Sequence, residues 1–365
     1  MIGLIQNAQI FAPDCLGRRD IWISGGKIIK IAQPGEIPAA HPFVDITPCD
    51  GLMAFPGIVD NHVHITGGGG EQGFNSRTSE ITADEILRAG VTTVAGVLGA
   101  DKITRSLENL LAKAKALECE GITTFIYAGS YEIPPVTFTG DIASDMVLVD
   151  KVVGVGEIAV ADHRSSHPTI EALLAIASQA HMGGLLSAKA GLMLIHLGDG
   201  KSGMEIVRRL HEESDLPAGM FLPTHVNRSE KLLRQAISHA KDGGYIDLTC
   251  GETQGIPVPE AIQTLIRKGV DMNRVTISSD ANGSSPGGGM CRISALYDDV
   301  VQSVKRGIAP EIIFPLCTRN AAKRLGVFPR KGVIAENSDA DILLLDNEYR
   351  IQKLFGMGKL LIDYT

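Results

Sequence analysis

Residues 152–164 read VVGVGEIAVADHR. Valine at this density predicts a strand buried on both faces, as in a parallel sheet covered by helices. Glu157 interrupts a run that is otherwise apolar or glycine. A buried ionised carboxylate is costly unless it has partners, so Glu157 must hold on to something.

Around this strand, similar runs alternate with helical segments. They are GIVDNHVH (57–64), GVTTVAGVLG (90–99), GITTFIYAGS (121–130), VVGVGEIAVAD (152–162), GLMLIHLGD (191–199), GMFLPTHVN (219–227), GYIDLTCGE (244–252) and RVTISSDANG (274–283). Between them, stretches such as SLENLLAKAKALECE and SEKLLRQAISHAKDG place apolar residues three and four apart, the helical period. Eight strand-then-helix units predict a (β/α)8 TIM barrel over residues 56–329. A doubly wound open sheet is the alternative, and the count of eight weighs against it. Residues 1–55 and 330–365 instead read as short strands split by turn signals. Neither piece could bury a core alone, and together they predict one small β-sandwich domain.

Composition bounds the function. Of 365 residues, 44% are hydrophobic and 21% charged, enough apolar material for a large core. The excess of 42 acids over 34 bases, net −8, argues against nucleic acid or an anionic membrane as partner. No apolar run reaches the ~18 residues of a membrane span, and the N-terminus shows no secretory signal. Six scattered cysteines without a C-x-x-C pair fit reduced thiols in a cytoplasmic protein.

In a barrel of this kind chemistry sits at the C-terminal ends of the strands. Five of the eight strands end in metal-binding residue types: His62 and His64, Glu157, His196, His225 and Asp280. His62 and His64, two apart on a strand, point to the same side and can serve one ion. Singly, each histidine could be a satisfied core residue; together they read as ligands. Four imidazoles and two carboxylates exceed one tetrahedral site. They suit two divalent ions ~3.5–4 Å apart, zinc by the imidazole content, with Glu157 bridging them. The competing role for Glu157 is a salt bridge with Arg164 or another barrel residue.

The chain resembles the amidohydrolase superfamily, whose pattern is H-x-H on strand one, a bridging residue on strand four, His on strands five and six and Asp on strand eight. Within it, HVHITGGGGEQG, GVLGADKITR, GSYEIPP, ADHRSS, IHLGDGK, LPTHVNRSE and SSDANGS resemble, in order, the motifs of the isoaspartyl (β-aspartyl) dipeptidases. That resemblance implies a carboxylated lysine as the strand-four bridge, yet Glu157 stands at the corresponding position. A glutamate falls short of it by roughly 3–4 Å of side chain. Gly154 and Gly156 therefore predict a bulge that brings the backbone inward, and no lysine carboxylation.

The resemblance also implies the substrate contacts. Glu71, flanked by Gly69 and Gly70, would hold the free α-amine. Arg164 and Arg228 would bind two carboxylates through paired hydrogen bonds. Tyr131 would donate to the developing oxyanion, and Ser284 would lie near the substrate backbone. Ala100 stands where the family has a threonine, so one polar contact is missing. Hydroxide generated between the ions would attack the isopeptide carbonyl, with Asp280 moving the proton to the leaving amine. A homo-oligomer, an octamer in that family, is implied as well. The rival functions are another amidohydrolase (a cyclic-amide hydrolase, an N-acyl amino acid deacetylase or a deaminase) and a metal-free scaffold.

Overall fold

The computed structural model describes residues 2–284 and 289–365. Five strands come first: β1 (Ile2–Phe11), β2 (Cys15–Ser24), β3 (Lys27–Ala32), β4 (Val44–Pro48) and β5 (Met53–Pro56). Eight strand–helix units follow. They are β6 (Ile58–Val63) with α1 (Ala83–Arg88), β7 (Val91–Gly96) with α2 (Leu107–Cys119), β8 (Thr123–Ala128) with α3 (Ile142–Leu148) and β9 (Val152–Val160) with α4 (Ile170–Ser187). The second half repeats the pattern: β10 (Leu192–Leu197) with α5 (Glu205–Glu212), β11 (Phe221–Thr224) with α6 (Glu230–Lys241), β12 (Ile246–Thr249) with α7 (Val258–Arg267) and β13 (Val275–Ser278) with α8 (Ser294–Lys305). Three strands close the chain, β14 (Ile342–Leu345), β15 (Ile351–Gly356) and β16 (Lys359–Asp363).

Helix starts follow local chemistry. Ser106 and Ser229 each precede an apolar-periodic run and accept a hydrogen bond from the backbone N–H three residues on, at 3.2 Å. That satisfies a donor which the first helical turn leaves bare.

Strands β6 to β11 pair in chain order as one parallel sheet, and β12 pairs with β13. Single backbone bonds carry the curl onward. Val226 N–H donates to Asp247 O at 3.4 Å, and at the far edge Asp280 N–H donates to His62 O at 3.1 Å. His64 N–H donates to Ala281 O at 2.9 Å. The parallel sheet is thus curled like a TIM barrel, and its ends meet at the C-terminal mouth, beside His62, His64 and Asp280.

β9 is buried at every position, as its valine content predicts. The expected bulge is present. Val155 pairs with Met193 and Ile158 with Ile195, so Gly156 and Glu157 together face Leu194. A Cβ on Gly154 would lie 2.1 Å from Leu192 O, and one on Gly156, at φ 152°, would lie 2.8 Å from Leu194 Cβ. Only glycine allows this close approach.

The terminal strands form a separate sheet in the order β16-β15-β14-β5-β1-β2-β3, with β4 on β1. Ile5, Ile21, Ile28, Ile342 and Leu344 supply its core. Both ends of the chain therefore meet in one sheet, through β14 antiparallel to β5. Among the described residues no helix is long and apolar enough to cross a membrane.

Candidate metal centre

His62 and His196 lie one residue before the end of a barrel strand and Glu157 three before, His64, His225 and Asp280 follow a strand by one or two residues, and all six are buried. His225 and Asp280 take left-handed backbone conformations, φ 64° and 52°. Such conformations cost roughly 1–3 kcal/mol for non-glycine residues and cluster at functional sites.

The Glu157 carboxylate divides the ligands into two groups. Its Oε2 lies 3.2 Å from His62 Nε2 and 3.6 Å from His64 Nε2. Asp280 Oδ1 completes that side, 3.5 Å from His62 Nε2 and 3.1 Å from His64 Nε2. The other oxygen, Oε1, lies 2.5 Å from His196 Nδ1 and 3.3 Å from His225 Nε2. Those two nitrogens are 3.0 Å apart. Among the described residues no ion pair joins Glu157 to Arg164; the barrel residues that face this carboxylate are the four histidines themselves.

Several buried atoms here have no hydrogen-bond partner, among them His62 Nε2 and Glu157 Oε2. Orphaned atoms of this kind, aimed at one another, fit a cation between them. The electrostatics agree. Burial disfavours charge on His62, yet Glu157 and Asp280 outweigh it and push the imidazole up to about 9. The cage attracts positive charge. Burial would raise the Glu157 carboxyl, but His62 and His196 hold it well below the usual carboxylate range. Burial and then the Arg228 charge push His225 well down, keeping it the neutral imidazole a ligand must be.

Above the cage opens a cleft of about 750 Å³, lined by Glu71, Arg164, Arg228, Ser284 and Glu252 among others. Arg164 Nη1 donates to Glu71 Oε1 at 3.0 Å, and Ser284 Oγ donates to the same oxygen at 3.2 Å. Gly69 and Gly70, at φ 67° and 102°, set the Glu71 loop, and a Cβ on Gly69 would lie 2.4 Å from Ser76 O. Arg228 Nη1 donates to Leu197 O at 3.0 Å and lies 3.1 Å from His196 Nε2.

Tyr131 Oη lies 2.9 Å from His196 Nδ1, which places the phenol against the cage. Burial, then the Glu157 charge, raise this phenol well above its ordinary value, so it keeps its proton. Ala100 follows Gly99, whose Cβ would lie 2.7 Å from the His64 ring. It brings no polar atom to the cleft.

Sequence reasoning missed three neighbours. Asp162 Oδ2 lies 3.1 Å from His196 Nε2. Thr249 Oγ1 lies 2.6 Å from His225 Nδ1. Cys291 Sγ donates to Asp280 Oδ2 at 3.8 Å. Asp162 carried a signal, an acid two residues before Arg164 in ADHRSS; the other two carried none.

Comparison with known proteins adds the following. Residues 53–361 match the amidohydrolase family. Two crystal structures of β-aspartyl dipeptidase from Fervidobacterium islandicum AW-1, one in complex with β-Asp-Leu, are 43% and 42% identical to this chain. Each superposes with a TM-score of 0.94, covering 100% of this chain and 97% of the other. A D-hydantoinase structure, 15% identical at TM-score 0.69 and covering 100% and 95%, shares the fold. Adenine deaminase 2 of Bradyrhizobium sp. (strain ORS 278) is 24% identical over 97% of this chain, which spans 55% of that protein's length.

Proposed function

Since the chain belongs to the amidohydrolase family, we propose that it is a metal-dependent dipeptidase that hydrolyses the isopeptide bond of β-aspartyl dipeptides. The observation that carries this reading is the placement of one carboxylate and two guanidinium groups, Glu71, Arg164 and Arg228, around a cleft directly above the cage. A β-aspartyl dipeptide presents one α-amine and two α-carboxylates, the complementary set. The relative solved with β-Asp-Leu supports the same substrate class.

His62, His64 and Asp280 would hold one divalent ion, His196 and His225 a second, with Glu157 shared between them. Two such ions, when bound, lower the pKa of a water toward ~7 and polarise the scissile carbonyl. The protein does the rest. Arg164 and Arg228 fix the carboxylates, Glu71 the ammonium group, and Gly69 and Gly70 let the loop close on them. Ser284 steadies Glu71 through its hydroxyl. Tyr131, still protonated, donates to the oxygen that gains charge as water adds to the side-chain carbonyl carbon. Asp280 accepts the water's proton and returns it to the nitrogen as the C–N bond breaks, releasing aspartate and the second amino acid. Each residue works on charge that the dipeptide brings or develops.

Zinc as the metal, a cytoplasmic location and a homo-oligomer, up to an octamer, belong to the same proposal. All six cysteines are free, in support of a reducing compartment. Exposed Leu148, Leu185 and Leu186 on α3 and α4 support association with another copy. The chain divides into a barrel over 56–329 and a terminal domain over 1–55 and 330–365, whose sheet we read as a curled β-sandwich.

The test is hydrolysis by the zinc-loaded protein of β-Asp-Leu set against hydantoin, dihydroorotate, adenine and N-acyl amino acids. Turnover of β-Asp-Leu above the others supports the proposal, and preference for any of the others contradicts it.

A further inference from the structure

Asp162 lies just past the end of β9 and is 5% exposed. Its place is set by glycines: a Cβ on Gly198 would lie 2.6 Å from Asp162 Cβ, and one on Gly200 would lie 2.4 Å from Ala161 O. The loop after β10 therefore lies directly against Asp162, and its carboxylate reaches two partners at once. Oδ1 accepts from Arg164 N–H at 2.8 Å and from Arg164 Nε at 3.0 Å. Oδ2 accepts from Arg164 Nη2 at 2.8 Å and lies 3.1 Å from His196 Nε2. Burial opposes its ionisation, but Arg164 and His196 hold its carboxyl far below the usual range.

The chemistry of His196 decides what this contact does. Its Nδ1 faces Glu157 Oε1 and His225 Nε2. A histidine that ligates through Nδ1 must leave that nitrogen bare, so the ring proton sits on Nε2 and needs an acceptor. Three groups lie 3.1 Å from Nε2: Arg164 Nη2, Arg228 Nη1 and Asp162 Oδ2. Guanidinium nitrogens only donate. Asp162 is thus the sole acceptor among them.

Resting on the reading above, we propose that Asp162 is a positioning residue joining the second ion to the substrate: it fixes the His196 tautomer that exposes Nδ1 to the ion, and with the same carboxylate it aims Arg164 into the cleft. Loading of the His196–His225 site and binding of the dipeptide carboxylate are then coupled through one side chain. Partners of this kind typically alter metal affinity by 10- to 100-fold when removed.

The test compares wild type with Asp162→Asn, whose amide keeps the shape but has one acceptor oxygen for two partners. Zinc is withdrawn with graded chelator, bound zinc is counted, and KM and kcat for β-Asp-Leu are measured. The expected result is one zinc retained as in wild type, the other released at about 10- to 100-fold lower chelator strength, and a raised KM. A merely structural role would lower the melting temperature and leave the ratio of the two zinc affinities unchanged, which overturns the proposal. Equal retention of both ions does the same. Nitrogen-15 NMR of zinc-loaded wild type answers the question even if the variant does not fold: a proton on His196 Nε2 is expected, and one on Nδ1 overturns the proposal. If wild type itself binds no zinc and leaves β-Asp-Leu intact, the functional reading fails, a result distinct from any of these.

Discussion

Glu71 and Arg164 bind each other: Nη1 of the arginine donates to Oε1 of the glutamate at 3.0 Å across the mouth of the cleft. Under the proposed function Glu71 takes the substrate's ammonium group and Arg164 one of its two carboxylates. A zwitterionic dipeptide brings its own ammonium and carboxylate, so binding exchanges one ion pair for two. Glu71→Ala should therefore lower kcat/KM for β-Asp-Leu by roughly 30- to 5,000-fold, the 2–5 kcal/mol cost of truncating a hydrogen-bonded charge partner. The N-acetylated substrate, which lacks the ammonium group, should be cleaved equally poorly by variant and wild type. Steady-state kinetics on both substrates checks it; an unchanged kcat/KM for β-Asp-Leu refutes the role of Glu71.

The bulge in β9 is a second point of control. Gly156→Ala would put a methyl 2.8 Å from both Leu194 Cβ and Leu194 O. Overpacking and strain together should cost about 2–5 kcal/mol. Denaturant unfolding should show the loss, and the bound metal should fall with it because Glu157 is the next residue. Full stability with full metal content would mean that the bulge is not needed to place the carboxylate.

Outside the site, burial and then the charge of His211 push His239 down to about 4 from its ordinary 6.5. Below pH 6.5 the unfolded chain takes up a proton that the native protein refuses, so stability falls as pH falls through this window. The loss levels off near pH 4, at a total of the order of 3 kcal/mol. Urea unfolding of wild type and His239→Gln between pH 7 and 4.5 measures it. The variant should lose stability less steeply; parallel curves would contradict this.

Much of the fold was legible because the physics behind it is local. Each of the eight strands expected from apolar runs is present, since a strand buried on both faces has little choice of residue. Boundaries differ at the ends: GMFLPTHVN spans nine residues of sequence, but β11 pairs only over Phe221–Thr224. His225 breaks the strand by turning left-handed, and no propensity signals that. The proposed ligands stood out in the sequence for a related reason, since ionisable groups at the ends of apolar runs need partners. Asp162 was passed over because its meaning depends on the loop after β10, a contact set by Gly198 and Gly200 and invisible along one strand. Thr249 and Cys291 became neighbours of the ligands only once the barrel closed.

The division of the cage by Glu157 is the central claim, and zinc content reports on it in solution. Glu157→Ala should retain at most one tightly held zinc and lose most activity, and bicarbonate should not stimulate wild type because no lysine needs carboxylation. Two tightly held ions in that variant would rule out the bridge.

Anomalous diffraction at the zinc edge from crystals of the loaded wild type tests the claim most directly. The account predicts two peaks, ~3.5–4 Å apart, one beside His62, His64 and Asp280 and the other beside His196 and His225, with one Glu157 oxygen facing each. A single peak, or two peaks with the Glu157 carboxylate turned away from one of them, would contradict it.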